Sequence, residues 1–318
     1  MRIGLDVLGG DFAPKATLHG AIMAQKELPE TDRIVLIGDK DIIHAFLKEE
    51  NVDPALFDIE HAPDLIEMDE QPTKALVNKP NSSIAVGFKL LKHKEINSFA
   101  SAGSSGAMMV GSIYSVNTVQ GIIRPSTPAY IPKETGGACI LIDVGTNPDS
   151  RPDVMYQFGL LGSLFAEHVF HVKNPRVGLL NIGSEEKKGS LAVQSAFQLM
   201  KDAKEYNFVG NVEGRELFRD NVDVIVCDGF VGNIVLKQVE AMYRVLVKRG
   251  IKDSYLDRFN YESYGGTPIL GINSTVLVGH GISNGNAVRK MILMSKEVHD
   301  ARLAPRIKHS LEKYAVNQ

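Results

Sequence analysis

The sequence predicts an α/β fold, three layers of helix, mostly parallel sheet and helix, and three observations carry that expectation. Short runs rich in Val, Ile and Leu alternate with stretches of helical periodicity, the pattern of repeated strand, crossover helix and strand. The runs are almost continuously apolar, as strands covered on both faces are. The 318 residues are 44% hydrophobic and 23% charged, enough to bury a substantial core.

In chain order, strands are expected at RIGLDVLG from Arg2, RIVLIGD from Arg33, SFASAG from Ser98, ACILIDVG from Ala138, RVGLLNIG from Arg176, NFVGNV from Asn207 and VDVIVCDG from Val222. Helices are expected at 14–27, 82–93, 105–116, 152–169 and 189–203. Pro14 and Pro152 suit a first helical turn, where a missing N–H costs nothing. TPILGI and STVLVGH read as two short strands, followed by a helical tail over 284–314 that is kinked at Pro305. No repeat, low-complexity tract or Pro/Ser-rich linker interrupts the chain, so residues 1–318 read as one domain with two lobes.

Composition narrows the function. A net charge of −3 leaves no basic excess for a nucleic-acid partner. Cys139 and Cys227 sit inside apolar runs and read as buried free thiols in a reducing cytoplasm. The opening MRIGLDVLGGD interrupts the apolar stretch that a signal peptide needs, and no segment holds the roughly 18 apolar residues of a membrane span. A cytoplasmic chain is the expectation.

Ligands of open parallel sheets gather outside the carboxyl ends of the strands, where helix N-termini and free amides converge. Gly, Ser, Asp and Asn concentrate at those ends here. The first strand exits into DVLGGDFAPK, where Gly9 and Gly10 permit a tight turn and close approach of a ligand to the backbone, and Asp6, Asp11 and Lys15 flank it as candidate phosphate or substrate contacts. This is not GxGxxG, so a dinucleotide is not indicated. The strand from Ser98 exits into SAGSSGA and opens directly into an apolar helix. Ser101, Gly103, Ser104, Ser105 and Gly106 there make an anion site, from hydroxyl donors and a helix N-terminus.

Further exits repeat the theme and supply Asn147 in DVGTNPD, Asn181 in NIGSEEKKG, Asn211 and Glu213 in GNVEGRELF, Gly229 and Asn233 in CDGFVGN, and His280 in VGHGISNG. Lys187, Lys188 and Arg215 are the cations placed to meet a phosphate or carboxylate. No HExxH, GxxxxGK[ST] loop or metal-spaced Cys/His cluster is found, which points away from a metal or a cofactor.

DVLGGDFAP, SAGSSGAMM, LIDVGTNPD, RVGLLNIGSEEKKG, GNVEGRELF, VDVIVCDGFVGNIVLK and YGGTPILGI, running in order from Asp6 to Ile272, resemble the successive motifs of the bacterial phosphate acyltransferases of phospholipid synthesis. The resemblance implies a homodimeric α/β/α enzyme, related in fold to isopropylmalate and isocitrate dehydrogenases and to phosphotransacetylases. It implies conversion of acyl-[acyl carrier protein] and inorganic phosphate to acyl phosphate and free carrier protein. It also implies peripheral contact with the membrane, where a glycerol-3-phosphate acyltransferase consumes the product.

On that reading the amides of 103–106, with Ser104 and Ser105, cradle phosphate. Lys187 or Arg215 neutralises its charge, and Asp228 and Asn233 shape the opposite wall. Over 234–259, apolar residues Ile234, Val235, Val239, Met242, Leu246 and Val247 recur at helical spacing among Lys237, Arg244, Lys248, Arg249 and Lys252, a helix for the core, a dimer, anionic lipid or an acidic carrier protein. Two rival functions are a nicotinamide-dependent decarboxylating dehydrogenase and a non-catalytic membrane scaffold. The first needs paired aspartates and an arginine cluster, which the motifs do not assemble; the second does not need dense strand-end motifs.

Overall fold

The structure, a computed structural model, describes residues 1–315. Two compact units emerge, one from Met1–Asn117 with Tyr261–Asp300, the other from Thr118–Asn260 with the chain from Ala301 onward. Each has its own sheet, where the sequence pattern pointed to a single one. Runs of apolar residues reveal strands but not which strands pair.

The first unit opens with β1 (Arg2–Asp6), α1 (Lys15–Gln25), β2 (Arg33–Gly38), α2 (Lys40–Glu49), β3 (Asp58–His61), α3 (Pro72–Asn78), α4 (Ser83–Lys92), β4 (Ser98–Ser101) and α5 (Ser105–Val116). The second follows with β5 (Pro128–Pro132), β6 (Ala138–Ile142), α6 (Pro152–His168), β7 (Arg176–Asn181), α7 (Leu191–Met200), β8 (Asn207–Glu213), β9 (Val224–Val226) and α8 (Gly229–Lys248). The chain then returns to the first unit for β10 (Gly266–Pro268), β11 (Thr275–Gly279) and α9 (Gly285–Asp300), and ends in the second with α10 (Leu303–Ala315).

The six-stranded sheet runs β10-β11-β4-β1-β2-β3, parallel except for the edge strand β10. Leu5, Ile34 and Leu36 point to one face, where α1 and α9 cover them with Leu18, Ala21, Val288 and Met291. Val35, Ile37 and Phe99 point to the other, under α4 and α5. Leu5, Leu36 and Phe99 are fully buried, and each such side chain contributes about 1.5–3 kcal/mol by leaving water. The five-stranded sheet runs β5-β6-β9-β7-β8, antiparallel only at β5. Cys139 and Cys227 are buried and unpaired, as expected; burial pushes the Cys139 thiol up to about 12.

The helical tail departs from expectation. It is two helices, and the break falls at Ala301 and Arg302, where Arg302 takes φ 51. Pro305 sits instead in the first turn of α10, where its missing N–H leaves no bond unmade. The helix expected to run through 234–259 stops at Lys248 and begins earlier, at Gly229.

Candidate functional site

The first unit gathers its polar strand ends at β1, β4 and β11. Asp6 ends β1 and is fully buried. Its Oδ1 accepts N–H bonds from Leu8 (3.0 Å) and Gly9 (3.1 Å), and its Oδ2 accepts the Ser101 hydroxyl at 2.6 Å. Ser101 Oγ in turn accepts the Gly103 N–H at 2.9 Å. Burial pushes the Asp6 carboxyl up, against the pull of these hydrogen bonds and of the nearby Ser83. Ser83 is itself fully buried.

Glycine is needed at 9 because the two turns press together. A Cβ there would collide with Asp6 Oδ2 and lie 2.6 Å from the Gly103 nitrogen. Gly10 holds φ +109, and the next residue, Asp11, donates its N–H to the Gly281 carbonyl at 2.7 Å. Asp11 and Lys15 are exposed beside this turn.

α5 begins at the other side of the contact. Ser104 is its N-cap, nearly buried, and its hydroxyl oxygen accepts the Ala107 N–H at 3.3 Å. The first amides of a helix have no intrahelical partner; Ala107 is served by the cap, which leaves those of Ser105 and Gly106. Ser105 is exposed and Gly106 half-buried. The macrodipole adds partial positive charge there. Gly103, expected to offer its amide, spends it on Ser101. Gly106 is glycine for packing: a Cβ would stand 2.8 Å from Pro72 Cγ. His280, half-buried past the end of β11, faces the Tyr261 ring at 5.5 Å.

The second unit has its own organised rim. Asp143, fully buried one residue past β6, accepts N–H bonds from Thr127 (3.4 Å) and Thr146 (3.3 Å) on Oδ1, and both the backbone (2.6 Å) and side-chain (2.9 Å) N–H of Asn147 on Oδ2. Burial pushes its carboxyl up in pKa, and the Asn147, Thr146 and Thr127 bonds draw it part of the way back. Thr127 and Thr146 join their hydroxyls at 2.7 Å. The Asn147 carbonyl accepts the Gly229 N–H at 2.8 Å, fixing the start of α8. Asp228 caps that helix, accepting the Val231 N–H at 2.9 Å. Asn233 is exposed on its first turns, 3.5 Å from the Cβ position of Gly145.

The remaining candidates are tied into loops. Asn181 donates its side-chain N–H to the Lys188 carbonyl (3.1 Å), and Asn211 donates to Glu185 (2.9 Å), so the 182–190 loop is pinned at both sides while Lys187 projects into solvent. Arg215, 73% exposed, pairs with Glu213 at 2.8 Å. Sequence reasoning had not placed Thr127, Thr146 or Ser83 at these rims. Thr127 lies sixteen residues before Asp143, and no local motif joins them.

Fold and rims define an α/β protein with helix N-termini and braced turns at the ends of its strands. Solved phosphotransacylases share the fold. A phosphotransacetylase from Streptococcus pyogenes matches with TM-score 0.64 and 14% identity over 94% of each chain. A branched-chain phosphotransacylase from Enterococcus faecalis matches with TM-score 0.62 and 13% identity over 94% of this chain and 99% of that one. The sequence is more specific. The family described as "Fatty acid synthesis protein" matches residues 1–306. Proteins named phosphate acyltransferase match over nearly the whole chain: 39% identity in Pelotomaculum thermopropionicum over 99% of this chain and 96% of the relative, and 37% in Desulfitobacterium hafniense over 100% of each. The chain belongs to this family.

Proposed function

We propose that this chain transfers a fatty acyl group from a carrier-protein thioester to inorganic phosphate, yielding acyl phosphate and free carrier thiol for phospholipid synthesis. The observation that carries the reading is the start of α5, where the Ser105 and Gly106 amides and the Ser104 cap are held against the β1 turn through Gly9 and Gly103. Family membership supports the chemistry.

Hydrogen phosphate is already an oxygen nucleophile near neutral pH, so no activated Ser or Cys is required. One phosphate oxygen attacks the thioester carbon, the C–O bond forms, the C–S bond breaks, and the proton carried by phosphate passes to the departing sulfur. Holding the oxygen about 3 Å from the carbon is worth up to roughly 7–11 kcal/mol. A donor aimed at the developing oxyanion adds about 3–4 kcal/mol. We assign phosphate to the α5 N-terminus, and we carry Lys187 and Arg215 as the cations that meet an anionic group of the substrate.

The α8 helix buries only Gly229 and Gly232, while Phe230, Ile234, Met242, Val245 and Val247 stand exposed. That face supports a homodimer. Peripheral contact with anionic lipid, or with an acidic carrier, is the competing use of its Lys237, Arg244 and Lys248. No helix among the described residues is long and apolar enough to cross a membrane. The test of the function is thiol release from acylated carrier protein by the purified chain. Release that scales with phosphate supports the reading; release indifferent to phosphate refutes it.

A further inference from the structure

The acidic residue under the β1 turn was expected to touch the substrate, and its surroundings argue for a different task. Asp6 and Ser101 are both fully buried, so no ligand reaches them. One side-chain hydrogen bond joins the two turns, Ser101 O–H to Asp6 Oδ2, and each partner is tied into its own turn: Leu8 and Gly9 N–H to Asp6 Oδ1, Gly103 N–H to Ser101 Oγ. The direction of the chain is fixed, because a carboxylate only accepts and an amide N–H only donates. It ends one residue before Ser104, the cap of α5.

A buried carboxylate is costly to retain without a cation, and the groups bonded to this one are neutral. Its negative charge cannot attract phosphate. Its contribution is therefore geometric: three bonds from two turns set the position of Gly9 against Gly103, and hence where the Ser105 and Gly106 amides point. A neutral amide at position 6 keeps one acceptor oxygen and replaces the other with a donor, which leaves either the Ser101 hydroxyl proton or the Leu8 and Gly9 amides without an acceptor.

We infer that Asp6 and Ser101 act together as positioning residues that hold the anion-binding turn of α5 in register with the β1 turn, without contacting substrate. This rests on the assignment of phosphate to α5.

The variant-free test is amide hydrogen exchange on the intact chain with and without inorganic phosphate. The inference requires Gly9 and Gly103 N–H to be protected in both conditions, and Ser105 and Gly106 N–H to gain protection only with phosphate. Protection gained at Gly103 on adding phosphate overturns it, since that amide is then a ligand contact and not part of the brace. The kinetic test uses Asp6→Asn, Ser101→Ala and the double variant, with folding checked by cooperative melting. Each single change is expected to raise the phosphate KM about tenfold, the scale of one lost buried charge-assisted bond, and to leave the acyl-carrier KM unchanged. The double variant is expected to be no worse than the poorer single one. Additive losses, or equal losses in both KM values, overturn the pair. Should the wild type bind phosphate and yet leave acylated carrier intact, the function falls while the exchange experiment still decides the brace.

Discussion

Asn147 presents its backbone and its side-chain N–H to a single oxygen of Asp143, at 2.6 and 2.9 Å, and gives its carbonyl to the first amide of α8. One residue thus stabilises a buried carboxylate and anchors a helix start. Asn147→Ala removes the side-chain donor and leaves Asp143 under-satisfied in the core. A loss of about 1–3 kcal/mol is expected, read as a lower midpoint in urea with an unchanged slope. An unshifted midpoint would show that water replaces the bond.

Gly9→Ala places a methyl against Asp6 Oδ2 and the Gly103 nitrogen. Backbone and a buried carboxylate cannot yield cheaply, so the turns must separate. Phosphate-dependent turnover should fall at least about tenfold, with an overpacking cost of about 1–3 kcal/mol in stability. Full turnover at wild-type phosphate KM would mean that the contact between the turns does not matter.

At the opposite ends of its strands the second unit carries an ion-pair network. Lys133 Nζ lies 2.6 Å from Asp223 and 3.0 Å from Asp220, and Arg176 Nε lies 3.0 Å from Asp223. Burial pushes the Asp223 carboxyl up, but the Arg176 and Lys133 bonds outweigh it and hold the group down at about 2. A carboxyl held below its unfolded value stabilises the fold above that value. The contribution, on the order of 2 kcal/mol, is present above about pH 4 and is lost as pH falls toward 2. Asp223→Asn should lower the melting temperature at pH 7 and flatten its decline between those limits; parallel declines would contradict the assignment.

Arg215 is exposed and pairs only locally with Glu213, so its loss should spare the fold. Arg215→Ala is expected to raise the phosphate requirement before it alters carrier binding, with melting unchanged. An unaltered phosphate dependence would remove Arg215 from the site.

What the sequence made legible follows from physics. The interior strands announced themselves as apolar runs, and all seven of those expectations correspond to strands from β1 to β9. The missed ones lack that signature. β3 reads DIEH and is half-exposed; β5 reads PAYIP, with a proline at each end. Proline is tolerated in a sheet at an edge, and β5 is the edge strand of its sheet. The split of the tail at Arg302 was hidden because a positive φ in a non-glycine residue leaves no mark in the sequence, whereas Pro305 drew attention to the wrong place. At the candidate site, the glycines were visible and their partners were not. Gly9 and Gly103 read as openings for a ligand; in three dimensions they make room for each other, through contacts between residues more than ninety positions apart.

The central claim is acyl transfer to phosphate, and its most direct test follows the phosphate itself. Purified chain, acylated carrier protein and radiolabelled orthophosphate should yield a labelled product that hydroxylamine converts to the acyl hydroxamate, releasing one carrier thiol per label incorporated. Carrier thiol released with no label in an acyl product would contradict the claim and leave simple thioester hydrolysis in its place.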